Sequence, residues 1–398
     1  MPGARTPGAA ERPRRATSAL LAPLVLLGCG ARAEEPRAAA ALDVETASAW
    51  APPSNPARGE AALALNAACE RCHQDVAQQW RGSLHQQAYL SASYQRALAR
   101  EPLPWCRSCH APEADLRSEP TPALAELGVG CVTCHVVGGQ ILAGAAASRE
   151  DAPDEAVHGP HGEALQEKAP REEAPHPVVR LLDAAPALAC ASCHEFPFPD
   201  AALRGSPLLM QSTVSEHRAS PYASATCAEC HMPRGKDGRA SHAFAGARSP
   251  ELLAQSVRVA LRRAGPLRLQ LELSQVGVGH ALPTGDLFRR IEVGVELVGG
   301  DYQVLARDTR HLGRHFRTAI HGGVGRRELL RDDRLPPDGS ARQVTLELSP
   351  SGPLTGDERL AWWVSYQRVA TPDSETQTAA LEAEVMLASG VLPLTEDN

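Results

Sequence analysis

Residues 69–85 read CERCHQDVAQQWRGSLH, and this stretch decides how the remainder of the chain is read. Cys69 and Cys72 stand three positions apart, His73 follows directly, and His85 comes twelve residues later. CxxCH is the pattern by which a chain holds a c-type haem. Each thiol bonds a vinyl group of the porphyrin, and the adjacent imidazole ligates the iron from one face. The pattern recurs at Cys106–His110, Cys131–His135, Cys190–His194 and Cys227–His231. The thiols Cys69, Cys72, Cys106, Cys109, Cys131, Cys134, Cys190, Cys193, Cys227 and Cys230 are ten of the eleven cysteines present. Five covalently bound haem c groups are expected, with His73, His110, His135, His194 and His231 as proximal iron ligands.

Other uses of CxxC fit less well. A structural zinc site takes two such pairs, or one pair with two histidines at defined spacing; five pairs divide badly. Disulfides suit an exported chain, but five local loops would staple almost nothing. Thioredoxin-like redox centres come with a βαβ context that is absent here. Composition agrees with haem. Aromatic residues make up only 4% of 398 residues, poor material for a side-chain core. Porphyrins bring large apolar surfaces, whose burial stabilises by roughly 25 cal/mol per Å². The CxxCH region without haem is therefore expected not to fold.

An electron-transfer iron usually carries a second axial ligand. The chain has fifteen histidines but only four methionines, so bis-histidine ligation is expected, and with it low potentials. Residues 75–99 have helical composition. On a helix, the twelve residues from His73 to His85 span about 18 Å, whereas two ligands of one iron lie about 4 Å apart. His85 is thus assigned to a haem other than that of His73. His242 in SHAFAG, His176 between prolines in APHPVV, and His280 in the loop GVGHALPTG are further distal candidates. His158 and His161 in VHGPHG compete for the fifth place, which is given to His161. His217, His311, His315 and His321 are read as surface residues. If one haem is to be the odd one out, the first motif's, on His73, is chosen.

The N-terminus carries Arg5, Arg12, Arg14 and Arg15, then the apolar run ALLAPLVLLG, then Cys29. The run is shorter than the roughly 20 apolar residues of a spanning helix and reads as an export signal. Leu26–Cys29 resembles a bacterial lipobox, so residues 1–29 are taken as a signal peptide with Cys29 as the lipidation site. Residues 30–60, rich in Ala, Pro, Arg and Glu, read as a flexible tether. Residues 61–250 hold the five motifs, with 144–175 as a surface excursion. From 255 to 395 the pattern changes. LRLQLELS (267–274), IEVGVELV (291–298), YQVLARD (302–308), VTLELS (344–349), RLAWWVSYQRV (359–369) and LEAEVMLAS (381–389) alternate apolar and polar residues or otherwise read as strands. The expected fold is multidomain: a mainly α-helical and loop multihaem domain, then an antiparallel β-sandwich-like domain without cysteine. A formal net charge of −7 argues against nucleic-acid binding.

Several segments together resemble a known family. These are CxxCH followed by Trp80-x-x-Ser83-x-His85, GVGCVTCH (128–135), CxxCHEF (190–196), MQSTVSEHRASPYA leading into CAECHMP, and SHAFAG. They resemble the cytochrome c-554 type of multihaem cytochrome, in a superfamily with pentahaem nitrite reductase and octahaem hydroxylamine oxidoreductase. GHALPTGDLFRR (279–290) resembles the C-terminal β-domain of several exported multihaem cytochromes. The resemblance implies an exported electron-transfer protein with closely packed, mostly bis-histidine haems, and distal ligands at the positions of His85 and His280. Departures are clear: no CxxC is followed by lysine, five motifs stand where hydroxylamine oxidoreductases have eight, and His217 occupies a position expected to be tryptophan.

Two functions are weighed. In the preferred one the chain conducts electrons along a haem stack, with no catalytic residue. In the other it is a haem oxidoreductase acting on a small nitrogen or sulfur species at one five-coordinate iron. The expected location is the periplasm or cell envelope, with the membrane reached through the lipid anchor. Expected partners are redox proteins, such as a membrane quinol-oxidising or outer-membrane electron-transfer complex.

Overall fold

A computed structural model describes residues 58–137, 139–143, 176, 179–180, 185–198, 208–236, 238–321, 324–370 and 379–394. The signal peptide with Cys29, most of the tether, His158 and His161 lie outside the described residues.

The N-terminal part is built of short helices: α1 (Glu60–Cys72), α2 (Gln74–Trp80), α3 (Ala92–Arg100), α4 (Arg107–His110), α5 (Pro122–Leu127), α6 (Cys131–His135), α7 (Ala185–His194), α8 (Thr213–Arg218), α9 (Cys227–His231) and α10 (Pro250–Gln255). Every CxxCH sits at a helix C-terminus, with the histidine as last residue or, for His73, as C-cap. On a helical turn, residues i, i+3 and i+4 share one face, so both thiols and the imidazole point the same way. Helices this short are marginal alone. They are tied by local devices: Thr226 and Glu229 form a capping box on α9, and Thr121 caps α5. Arg58 donates to both oxygens of Glu113, at 2.6 and 2.8 Å, and to the carbonyls of Val132 and Val136.

The expected helix over 75–99 is interrupted. It ends at Trp80, because Gly82 takes φ 85°, and turns occupy the stretch until α3 begins. Two small sheets sit among the helices. One holds β1 (Val136–Val137), β2 (Gln140–Ala143) and β3 (Val179–Arg180); the other pairs β4 (Glu195–Pro197) with β5 (Leu209–Ser212).

The C-terminal part is antiparallel sheet. β6 (Val257–Gly265), β7 (Arg268–Gln275) and β12 (Arg342–Glu347) form one sheet in the order β12-β7-β6. β8 (Arg289–Val298), β9 (Val304–Leu312), β13 (Arg359–Val369) and β14 (Leu381–Pro393) form a second, ordered β14-β13-β8-β9. β10 (Arg314–His321) and β11 (Val324–Asp332) pair as a hairpin. Alternate residues of each strand face inward: Leu269, Leu271 and Leu273 of β7, Val344 and Leu346 of β12, Ile291, Val293, Val295 and Leu297 of β8, and Leu360 and Val364 of β13 make one buried cluster. All the segments read as strands fall on strands here. β6 and the β10–β11 hairpin were not among them.

Candidate haem-binding cavity

The helical part has a buried side-chain cluster that includes Trp80, Tyr89, Tyr94, Leu124 and Leu127. Beside it runs a connected cavity of about 3320 Å³, several times the roughly 300–1,000 Å³ of a pocket for one small molecule. All ten thiols of the CxxCH motifs line it, as do His73, His85, His110, His135, His176, His194, His217, His231, His242 and His280. The described cysteines form no disulfide. Burial pushes the thiols of Cys131 and Cys134 up to about 11 and 12, which makes them poor thiolate nucleophiles.

The histidines come together in pairs drawn from distant parts of the chain. Ring centres of His73 and His176 lie 6.3 Å apart, His85 and His194 6.3 Å, His135 and His242 6.1 Å, and His231 and His280 6.2 Å. With imidazole–metal bonds of about 2 Å and each ring centre about 1 Å behind its ligating nitrogen, two histidines sharing one iron have ring centres about 6 Å apart. All four pairs meet that value. Each joins one motif histidine to one non-motif histidine. His85 faces His194 of the fourth motif rather than His73.

Hydrogen bonds hold several of these rings in the ligating tautomer. Nδ1 of His110, His135 and His231 lies 2.7, 3.0 and 2.7 Å from the carbonyl oxygens of Ala88, Leu142 and Ala245. His242 and His280 use the carbonyls of Ala240 and Ala281 in the same way, at 3.0 and 2.9 Å. A donated Nδ1–H leaves the Nε2 lone pair for a metal. Burial favours the neutral ring as well. It is the first cause that pushes His85 down to about 4 and His194 down to about 3, and it lowers His110, His242 and His280 too.

The segments flanking His85 explain their own sequences. Trp80 Nε1 donates to the carbonyl of Val129 at 2.9 Å, and the Val129 N–H donates to the carbonyl of His85 at 2.9 Å. Gly128 has φ 55°, and a Cβ there would lie 2.3 Å from the Gln86 carbonyl oxygen and 2.6 Å from that of His85. The tryptophan, the histidine and the glycine before the third motif are therefore parts of one contact. Phe244, at φ 51°, closes the other side of His85, edge-on at 4.2 Å.

Two expectations change. His73 has a facing histidine. Among the described residues it is His110 that has none; its ring stacks on Tyr94 at 3.8 Å. Local motif spacing is the same at both sites and could not separate them. His217 is not a surface residue. Its Nδ1 lies 2.7 Å from the Gly279 carbonyl and its Nε2 2.8 Å from that of Ala225, so it clamps the His280 loop onto the approach to the fifth motif with both ring nitrogens engaged. His311 and His315 pair with Glu292 and Asp333.

Residues 68–136 match the family model described as cytochrome c554 and c-prime. The chain also resembles the crystal structure of a penta-heme cytochrome c552 from Thermochromatium tepidum, with a TM-score of 0.57, 19% identity, and coverage of 82% of this chain and 97% of that one. The family match covers the segment that holds the first three CxxCH motifs. At 19% identity the likeness to the penta-heme cytochrome c552 shows a shared fold. MtrC from Shewanella baltica OS185 aligns with a TM-score of 0.18 at 16% identity, over 72% of this chain and 44% of that one, a score too low to bear on the fold. None of the curated proteins matches the chain in sequence. No helix among the described residues is long and apolar enough to cross a membrane.

Proposed function

We propose that this cytochrome carries five haem c groups, four of them bis-histidine, and passes electrons between them. The observation that carries the reading is the set of four histidine pairs, each at the spacing of one shared iron, in a cavity lined by the motif thiols. The ligand pairs are His73 with His176, His194 with His85, His135 with His242, and His231 with His280. Bound haem supplies one-electron redox chemistry; the chain supplies spacing, axial ligation and a low dielectric.

Neighbouring thiols suggest the order of the haems. Cys69 acts electrostatically on Cys131, and Cys193 on Cys134. Cys109 contacts Cys193, and Cys190 contacts Cys227. The path runs from the first haem to the third and the fourth, and the fourth adjoins both the second and the fifth. The fourth haem is then a branch point rather than one link of a linear wire.

The two C-terminal sheets act as the faces of one sandwich that delivers His280 to the fifth haem. Domain limits follow the sequence reading: helical haem region 61–250, β-domain 255–395, export through residues 1–29, and anchoring in the cell envelope through lipid on Cys29. The electron partners are other redox proteins of the envelope. Electron paramagnetic resonance of the holoprotein, integrated against total haem, tests the ligand assignment. At least four of five irons low-spin supports it; fewer low-spin irons sink it.

A further inference from the structure

We propose that Glu216 is a positioning residue: it locks the loop 279–284 onto α8 and so keeps His280 on the iron of the fifth haem. This deepens the reading above and rests on its pairing of His280 with His231. Of the four non-motif histidines in that reading, His280 alone comes from the β-domain, on the connection between β7 and β8. His231 follows Cys230 directly, so the thioether bonds hold it at the porphyrin. His280 has no such tether. Gly277 and Gly285 flank it at φ 67° and 95°, and Gly279 precedes it, so the chain of the loop supplies little stiffness of its own. Its place depends on what grips the loop from outside.

The grip comes from two adjacent residues of α8. His217 takes the near end of the loop, its Nδ1 2.7 Å from the Gly279 carbonyl. A Cβ on Gly279 would come within 3.0 Å of that ring nitrogen and 3.2 Å of Tyr222 Cβ, so glycine lets the helix this close. Glu216 takes the far end: the Thr284 hydroxyl donates to Glu216 Oε2 at 2.6 Å. That hydroxyl has one proton, so the Thr213 hydroxyl, 3.0 Å away, donates to it in turn. At the other carboxylate oxygen, Ser212 Oγ donates at 2.7 Å and Arg334 Nη1 lies at 2.8 Å. Arg334 belongs to the β-domain and holds the same loop, donating from Nη1 to the Pro283 carbonyl at 3.1 Å. Leu335 adds two backbone hydrogen bonds with Leu282. Arg334 is itself oriented by a two-pronged bond to Asp332, at 2.9 and 2.7 Å.

Burial gives these contacts their weight. The side chains of Glu216 and Arg334 are each 8% exposed, and a buried charge is costly unless it is paired and hydrogen-bonded. Moving the loop off α8 strips Glu216 Oε2 of Thr284 and Arg334 of the Pro283 carbonyl. The closed loop therefore carries hydrogen bonds to two charged groups, each stronger than a neutral one. The same helix reaches the other side of the iron. His217 Nε2 lies 2.8 Å from the Ala225 carbonyl, and Ala225 precedes Thr226, the N-cap of the helix that bears the fifth motif. Helix α8 thus ties together the segments that carry both ligands of one iron.

The test uses the reduced holoprotein and carbon monoxide, which binds a bis-histidine haem only after one ligand leaves. Its apparent affinity there scales with the fraction of open haem. Thr284→Val removes the hydroxyl and leaves the pair of Glu216 with Arg334; Glu216→Gln removes the charge; Thr284→Ser keeps the hydroxyl. Relative to wild type, the carbon monoxide affinity of one haem is expected to rise about 10–100-fold in Thr284→Val and in Glu216→Gln, the worth of one hydrogen bond to a charged group. Thr284→Ser should behave as wild type. Leu297, buried in the β-domain core at the end of β8 remote from the loop, serves as control: Leu297→Ala weakens that core and should leave the affinity unchanged. His280→Ala should open the same haem fully, and adding Glu216→Gln to it should change nothing more. No rise in Thr284→Val and Glu216→Gln, an equal rise in Leu297→Ala, or a further rise in the double variant would overturn the lock. Should His280→Ala itself open no haem, the pairing of His231 with His280 falls, and the lock with it.

Discussion

Replacing His85 with alanine isolates one axial ligand without touching a thiol. In the structure the His85 ring faces His194 at 6.3 Å, and its other ring neighbour is Phe244 at 4.2 Å, which cannot ligate. His176, His242 and His280 are each engaged with another motif histidine, so none is free to replace it. His85→Ala therefore leaves the fourth haem with His194 alone. With five haems per chain, one fifth of the total iron should move from low spin to high spin, whatever the state of the His110 haem beforehand. Spin integration by paramagnetic resonance measures the fraction, and intact mass confirms that all haems stay attached. A control, His311→Ala, removes an imidazole bonded to Glu292 in the β-domain and should leave the spin balance unchanged. An unaltered spectrum in His85→Ala would refute the pairing. A change in two or more haems would refute the one-ligand, one-iron logic.

Three further outcomes follow from packing and charge. Leu271 is fully buried at the centre of the β-domain cluster, so Leu271→Ala should cost about 2–5 kcal/mol in thermal unfolding of the β-domain followed by circular dichroism, with the haem spectrum unmoved before the transition. Glu113 is 1% exposed and its ion partner is Arg58; Arg58→Ala should destabilise the helical region by about 3 kcal/mol, the lower end for breaking a buried pair, read by denaturant unfolding at the Soret band. Glu292 is held down to about 2 from its ordinary 4.5, first by the His311 hydrogen bond and then by burial working against it and Trp363 working with it. A depressed carboxylate stabilises the fold above its unfolded value and loses that contribution as pH falls through its folded one. Glu292→Gln should therefore cost about 1 kcal/mol at neutral pH, discounted for the partly exposed His311, and the gap to wild type should close between pH 4.5 and 2 in melts taken across that range.

What could be read from the sequence was whatever is local. Alternation marked β7, β8, β12 and β13 because each buries one face against a shared core. The CxxCH motifs gave their thiols and histidines by spacing alone, since one helical turn sets their geometry. His85, His176, His242 and His280 could be nominated one by one, but their partners could not: facing across an iron joins residues as far apart as His73 and His176. The helix through 75–99 was overextended because composition outweighed Gly82, whose φ of 85° ends it. The distinct position of His110 and the clamp made by His217 depend on groups that the fold brings from elsewhere, Tyr94 in one case and Gly279 in the other.

The most direct test of the account is the intact mass of the protein, followed by peptide mapping of the ten motif cysteines. Five haem additions, each spread over one CxxCH pair, are the predicted result. Fewer additions, or motif cysteines recovered as free thiols or disulfides, would contradict it.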